Sequence, residues 1–85
     1  MDRFREMESL VAVVETGSFV KASVALRVSK AAVSQTIVAL ETRLGARLLQ
    51  RTTRRVSLTE AGRAYLAHCK QILADVAEAD RAVGA

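Results

Sequence analysis

Residues 17–45 read GSFVKASVALRVSKAAVSQTIVALETRLG, and this stretch decides the fold. Gly17 is placed to end a preceding helix in the left-handed conformation, and the Ser18 hydroxyl can cap a following one whose core side carries Phe19, Ala22 and Leu26. Arg27 and Val28 leave room only for a tight connection before Ser29, a second capping hydroxyl. From there Val33, Ile37, Leu40 and Leu44 recur at spacings of 4, 3 and 4 up to Gly45, which predicts one buried stripe along a helix. Two helices with so short a link make a corner. The second of them keeps a face near its start that the core does not use, formed by Lys30, Ala31, Ser34 and Gln35. No carboxylate on that face would repel a phosphate.

On the N-terminal side, Phe4, Met7, Leu10, Val11 and Val14 fall on one stripe and predict a helix over roughly 3–16, with the acids turned the other way. On the C-terminal side the period changes. Leu48-Leu49-Gln50-Arg51-Thr52 and Arg55-Val56-Ser57-Leu58 are two short segments that can pair as a hairpin around Thr53 and Arg54. Its tip gathers Arg51, Arg54 and Arg55 with the hydroxyls of Thr52 and Thr53, the chemistry of phosphate or minor-groove contact. Thr59 then caps a last helix running towards Val83. Leu66, Cys69, Leu73, Val76 and Val83 lie on it at heptad-like spacing, with Tyr65, Ile72 and Ala79 on an adjoining row. Two apolar rows exceed what so small a domain can cover, so a second copy of the chain is the natural partner. The expected fold is mainly α: a winged helix-turn-helix of three helices plus a two-stranded wing over 1–58, then a long dimerisation helix over 59–85.

Composition agrees. With 85 residues, 51% of them hydrophobic, the chain can build one compact core, and the absence of proline with only four glycines favours helices. The net charge of +4 is unevenly spread: residues 21–70 hold ten Lys or Arg against only Glu41 and Glu60, while both ends are acidic. Positive charge therefore sits where the corner and hairpin sit. No apolar run approaches membrane-spanning length and the first twenty residues alternate charged with apolar, so a cytoplasmic protein that does not enter membranes is expected. Cys69 is the only cysteine and His68 the only histidine, too few for a disulfide or a structural zinc site; neither a metal nor a cofactor is expected.

A helix-turn-helix works because its first helix and core hold the second at a fixed angle, so that the N-terminal side chains of the second enter the major groove. In that placement Lys30 can donate to guanine or phosphate, Gln35 can pair bidentately with adenine, Ser34 can serve either, and the Ala31 methyl can touch a thymine methyl. Ser29, Ser18 and Thr59 are helix caps before they are base contacts, and Ser29 is counted among the DNA-binding residues as well.

Gly17-Ser18-Phe19, Val28-Ser29, Ala32-Val33-Ser34, Ile37, Ala39-Leu40-Glu41, Leu44-Gly45, Arg47-Leu48, Arg51-Thr52 and Leu58-Thr59-Glu60-Ala61-Gly62 together resemble the N-terminal domain of LysR-type transcriptional regulators, without a gap over about residues 3–66. The resemblance implies a three-helix domain with a wing and a linker helix that pairs two subunits. It also implies an effector-binding domain that these 85 residues do not contain, so the chain is either a truncated regulator or a stand-alone domain. Members act as dimers or tetramers on interrupted palindromes, and the positions matching their DNA-facing residues are Lys30, Ala31, Ser34, Gln35, Arg51 and Arg54. Ala31 stands where members often carry Pro, Gln35 where they carry Arg or Lys, and Val38 where they are commonly polar, so the operator sequence does not carry over.

Two other classes compete. A protein-interaction module would use the apolar last helix as its working part and the basic middle for solubility alone. An enzyme needs convergent acids, bases or a nucleophile, yet His68 has no evident Ser or Asp partner and no glycine-rich phosphate loop occurs.

Overall fold

The computed structural model describes residues 2–51 and 55–84. The elements follow in the order α1 (Arg3–Thr16), α2 (Phe19–Leu26), α3 (Lys30–Leu44), β1 (Leu49–Arg51), β2 (Val56–Leu58) and α4 (Glu60–Gly84). Each helix starts where a short polar side chain can take up its free N–H groups. Asp2 accepts from Phe4 N and Arg5 N, Ser18 from Lys21 N, Ser29 from Ala32 N, and Thr59 from Gly62 N, at 2.9–3.2 Å. Gly17 and Gly45 end α1 and α3 in the left-handed conformation. Between α2 and α3 that conformation falls to Arg27, at φ 59°, whose N–H closes back onto the Ser23 and Val24 carbonyls. A side chain with a Cβ is disfavoured there, so the corner holds a small strain in return for its tight turn.

The core comprises Leu10 and Val13 from α1, Ala22 from α2, and Val33, Ile37 and Leu40 from α3. It continues through Leu48 and Leu49 at the entry to the hairpin and ends with Leu66 and Cys69 from α4. It thus runs across position 58, and the first three turns of α4 belong to it. The sequence stripes were right in kind and rotated in detail. Val13 is fully buried, whereas Phe4 and Leu44, expected inside, are exposed. The rotation of α1 follows from Glu6. Expected on the solvent side, it is 2% exposed, and its Oε1 accepts from the Arg43 guanidinium of α3 at 2.6 Å. A carboxylate drawn inward at position 6 carries Leu10 and Val13, one and two turns on, to the same side.

β1 and β2 pair antiparallel, Leu49 opposite Leu58, Gln50 opposite Ser57 and Arg51 opposite Val56, so the expected two-stranded hairpin is present. Its root is tied to both neighbouring helices. Glu41 Oε2 of α3 accepts from Leu48 N at 2.8 Å and Leu49 N at 3.2 Å. Thr59 N donates to the Leu48 carbonyl at 3.0 Å, and the Thr59 hydroxyl donates to the Arg47 carbonyl at 2.6 Å. Gly62 lies against the same Leu48 carbonyl so closely that a Cβ built on it would stand 2.0 Å from the oxygen.

Gly62→Ala therefore sets two effects against each other. Alanine favours a helix over glycine by roughly 1 kcal/mol, but here the obstructing atom is backbone and cannot swing aside. The clash wins: chemical denaturation is expected to show a net loss of about 1–3 kcal/mol. An unchanged or raised midpoint would mean that α4 does not depend on this approach.

Candidate nucleic-acid interface

α3 divides cleanly along its length. Val33, Ile37 and Leu40 are buried, while Lys30, Ala31 and Gln35 are exposed and Ser34 is half-buried between the two sides. The exposed row continues through Val38 and Thr42, so the face near the helix start is polar and becomes partly apolar one turn later. Ser29 is exposed, and its Oγ is occupied as an acceptor by Ala32 N at 3.0 Å; the hydroxyl hydrogen is left for an outside acceptor. Capping and ligand contact are thus compatible in one residue.

The hairpin carries Arg51 at the end of β1 and Arg55 just before β2, both exposed. The expected contact residues Thr52 and Arg54 lie outside the described residues. The Arg51 guanidinium stacks over the Phe19 ring, 4.7 Å from its centroid, which joins the hairpin to the first turn of α2. This contact joins residues 32 positions apart in the sequence, on different elements, and periodicity gives no sign of it.

Two further residues that sequence reasoning left without a role support the interface from behind. Glu41 holds the entry to β1, as described, and a lone acid at the end of α3 followed by two leucines is a weak signal for such a clamp. Arg43 joins α3 to α1 through Glu6, and Tyr65 of α4 lies near enough to act on its charge. Its pairing with Glu6, with a smaller contribution from Tyr65, pushes the guanidinium further above its ordinary value, against the opposing effect of burial. Arg43 is therefore always charged. A surface pair between Lys70 and Glu15, at 3.3 Å, adds a weak brace between α4 and α1.

Of the two rows along α4, Tyr65, Leu66, Cys69, Ile72, Leu73, Val76 and Val83 were expected to face a partner chain, and they differ in burial. Leu66 and Cys69 are core residues of this chain, covered because α1 packs on the first turns of α4, and they are not available to a second copy. That corrects the expectation for those two. Tyr65 is half-buried against the same core, and Leu73 is half-buried. Ile72, Val76 and Val83 are exposed, at 38%, 41% and 90%. The uncovered apolar row therefore starts about two turns later than its spacing suggested. His68 is exposed and Cys69 buried, so the two neighbours do not converge on a common ligand.

Residues 4–63 match the family model of the bacterial regulatory helix-turn-helix proteins, LysR family. The chain belongs to the LysR family. It is 55% identical over 74 residues to an HTH-type transcriptional regulator of Xanthomonas campestris pv. campestris, an alignment covering 87% of this chain and 22% of the relative. The chain thus spans about a quarter or less of the curated relatives it matches first. Among solved structures, the BenM DNA-binding domain in complex with catB site 1 DNA superimposes with a TM-score of 0.92 at 32% identity, over 99% of this chain and 93% of the other. The DNA complex of the CbnR DNA-binding domain does so at 0.83 and 34%, over the whole of both chains. The expected winged helix-turn-helix is therefore present, as a LysR-type helix-turn-helix domain, and no helix among the described residues is long and apolar enough to cross a membrane.

Burial pushes the Cys69 thiol above the ordinary thiol range, leaving little of the reactive thiolate at neutral pH and no open path to it. Iodoacetamide labelling at pH 8 is expected to run at least about tenfold slower in the folded protein than in the chain unfolded by urea. Equal rates would contradict the burial of Cys69 under α1.

Proposed function

We propose that this chain is the DNA-reading part of a transcriptional regulator that binds double-stranded DNA sequence-specifically. α3 enters the major groove by its N-terminal half, and the basic hairpin reaches the flanking backbone or minor groove. The observation that carries this reading is the division of α3. Its inner side is committed to the core, and the exposed side at its start holds Lys30, Ala31 and Gln35, with no acid among them. The likeness to two domains solved as DNA complexes supports the same placement.

In this arrangement Arg51, Arg54 and Arg55, with Thr52 and the Ser29 hydroxyl, neutralise or bond phosphates and supply affinity. Lys30, Ala31, Ser34 and Gln35 meet base edges and supply discrimination. Two copies pair through Ile72, Val76 and Val83, with Leu73 and Tyr65 at the margin of the seam, and their separation sets the spacing of an interrupted palindrome. The protein acts in the cytoplasm, and a small-molecule effector or a tetramer contact belongs to residues beyond these 85.

Titration against random-sequence duplex DNA and a pool of promoter fragments, at two or more salt concentrations, tests the reading. Enrichment of an interrupted palindrome with affinity falling steeply as salt rises is the expected result. Retention of no duplex even at low salt would overturn it and leave the apolar side of α4 as the working surface. On the enriched site, Gln35→Ala is expected to flatten the preference at one base position by about 1–3 kcal/mol; an unchanged sequence profile would remove Gln35 from base reading. Val76→Asp puts a charge into the seam without touching this chain's own core, and sedimentation is expected to show monomers where the parent is dimeric. A persisting dimer would place the contact elsewhere.

A further inference from the structure

Phe19 is the one aromatic side chain with a cation over its ring among the described residues, and the cation is Arg51, at the end of the strand that leads to the hairpin tip. Phe19 itself is anchored. It is half-buried against the core, and it opens α2 immediately after the Ser18 cap. Arg51 is exposed, sits opposite Val56 in the hairpin and has no salt bridge among the described residues. A long side chain in that situation samples many rotamers, and ordering it on binding a phosphate would cost conformational entropy. The ring face removes part of that cost beforehand, because a guanidinium held over an aromatic by its charge still has N–H groups to donate.

We propose that Phe19 is a positioning residue for nucleic-acid binding. By holding the Arg51 guanidinium it presents a ready phosphate ligand and ties the hairpin to the helix corner, so that the two contact elements meet the duplex as one body. The proposal rests on the DNA-binding reading above and adds to it a residue outside the contact surface. Phe19 touches no base and no phosphate; it acts through Arg51. Its ring does what neither an aliphatic core residue nor a polar surface residue could do at that place, since the first gives the cation no π face and the second gives the core no apolar body.

The test is a double-mutant cycle read by equilibrium binding of a fluorescent random-sequence duplex at low salt, using the 85-residue chain. Phe19→Leu keeps an apolar body and removes the ring; it is expected to weaken binding about two- to fivefold, the range of an exposed cation–π contact. Arg51→Ala is expected to weaken binding more. In the Arg51→Ala background, Phe19→Leu is expected to have no further effect, and Phe19→Trp in the parent is expected to bind at least as tightly as the parent. Thermal melting of each variant checks that the fold is intact, and Phe19→Trp supplies the comparison should Phe19→Leu not fold. Effects of Phe19→Leu and Arg51→Ala that simply multiply, or a Phe19→Trp variant that binds no better than Phe19→Leu, would overturn the positioning role while leaving DNA binding standing. Absence of binding by the parent chain would overturn both together.

Discussion

The peptide group of Leu48 is the point on which the other elements rely. Its side chain is buried, so its N–H and carbonyl leave water, and a buried polar group without a partner costs about 1–3 kcal/mol. Glu41 answers the N–H from α3, and Thr59 answers the carbonyl from the residue that caps α4. The same carbonyl is the surface on which Gly62 rests. α3, the hairpin and α4 are thereby referred to one peptide unit. Two successive N–H groups, of Leu48 and Leu49, donate to the one Glu41 carboxyl oxygen, which fixes where β1 begins. Without it the leucines at 48 and 49 could be buried in more than one register.

A second constraint acts on the opposite side of the core. The Glu6 and Arg43 pair takes a carboxylate almost wholly out of water, and the other oxygen of Glu6 has no partner among the described residues. Pairs of this kind contribute little net stability, because desolvation offsets the attraction. Their effect is to exclude alternatives: with Glu6 held by Arg43, α1 cannot rotate to bury Phe4. Fold specificity and fold stability thus come from different residues, the leucines supplying one and the polar bridge the other.

The local parts of this structure could be read from the sequence because they are decided within four residues. Ser18, Ser29 and Thr59 cap because a hydroxyl meets an N–H two or three positions on, and Gly17 and Gly45 end helices for reasons internal to their own backbone. Contacts between distant segments were not legible in the same way. The apolar residues of α1 spread over a wide arc, and only the partner of Glu6, 37 residues away, selects which part turns inward. Leu66 and Cys69 looked spare for a partner chain because spacing alone does not reveal that α1 covers them. The exposed residues at the start of α3 were legible as those its core stripe leaves over, and the contacts of Glu41 and Phe19 were not, since both depend on the hairpin folding back.

α4 is continuous from the wing root to its exposed end, and that continuity makes it a lever. From Gly62 to Val83 the rise is roughly 32 Å at 1.5 Å per residue, so each degree of tilt at the Leu48 contact moves the far end by about half an ångström. The converse holds for whatever grips the far end. A modest shift there is returned to the wing root much reduced in amplitude but with leverage, at the one peptide that also locates α3. α4 is the rigid arm of that lever, and its fulcrum is a glycine.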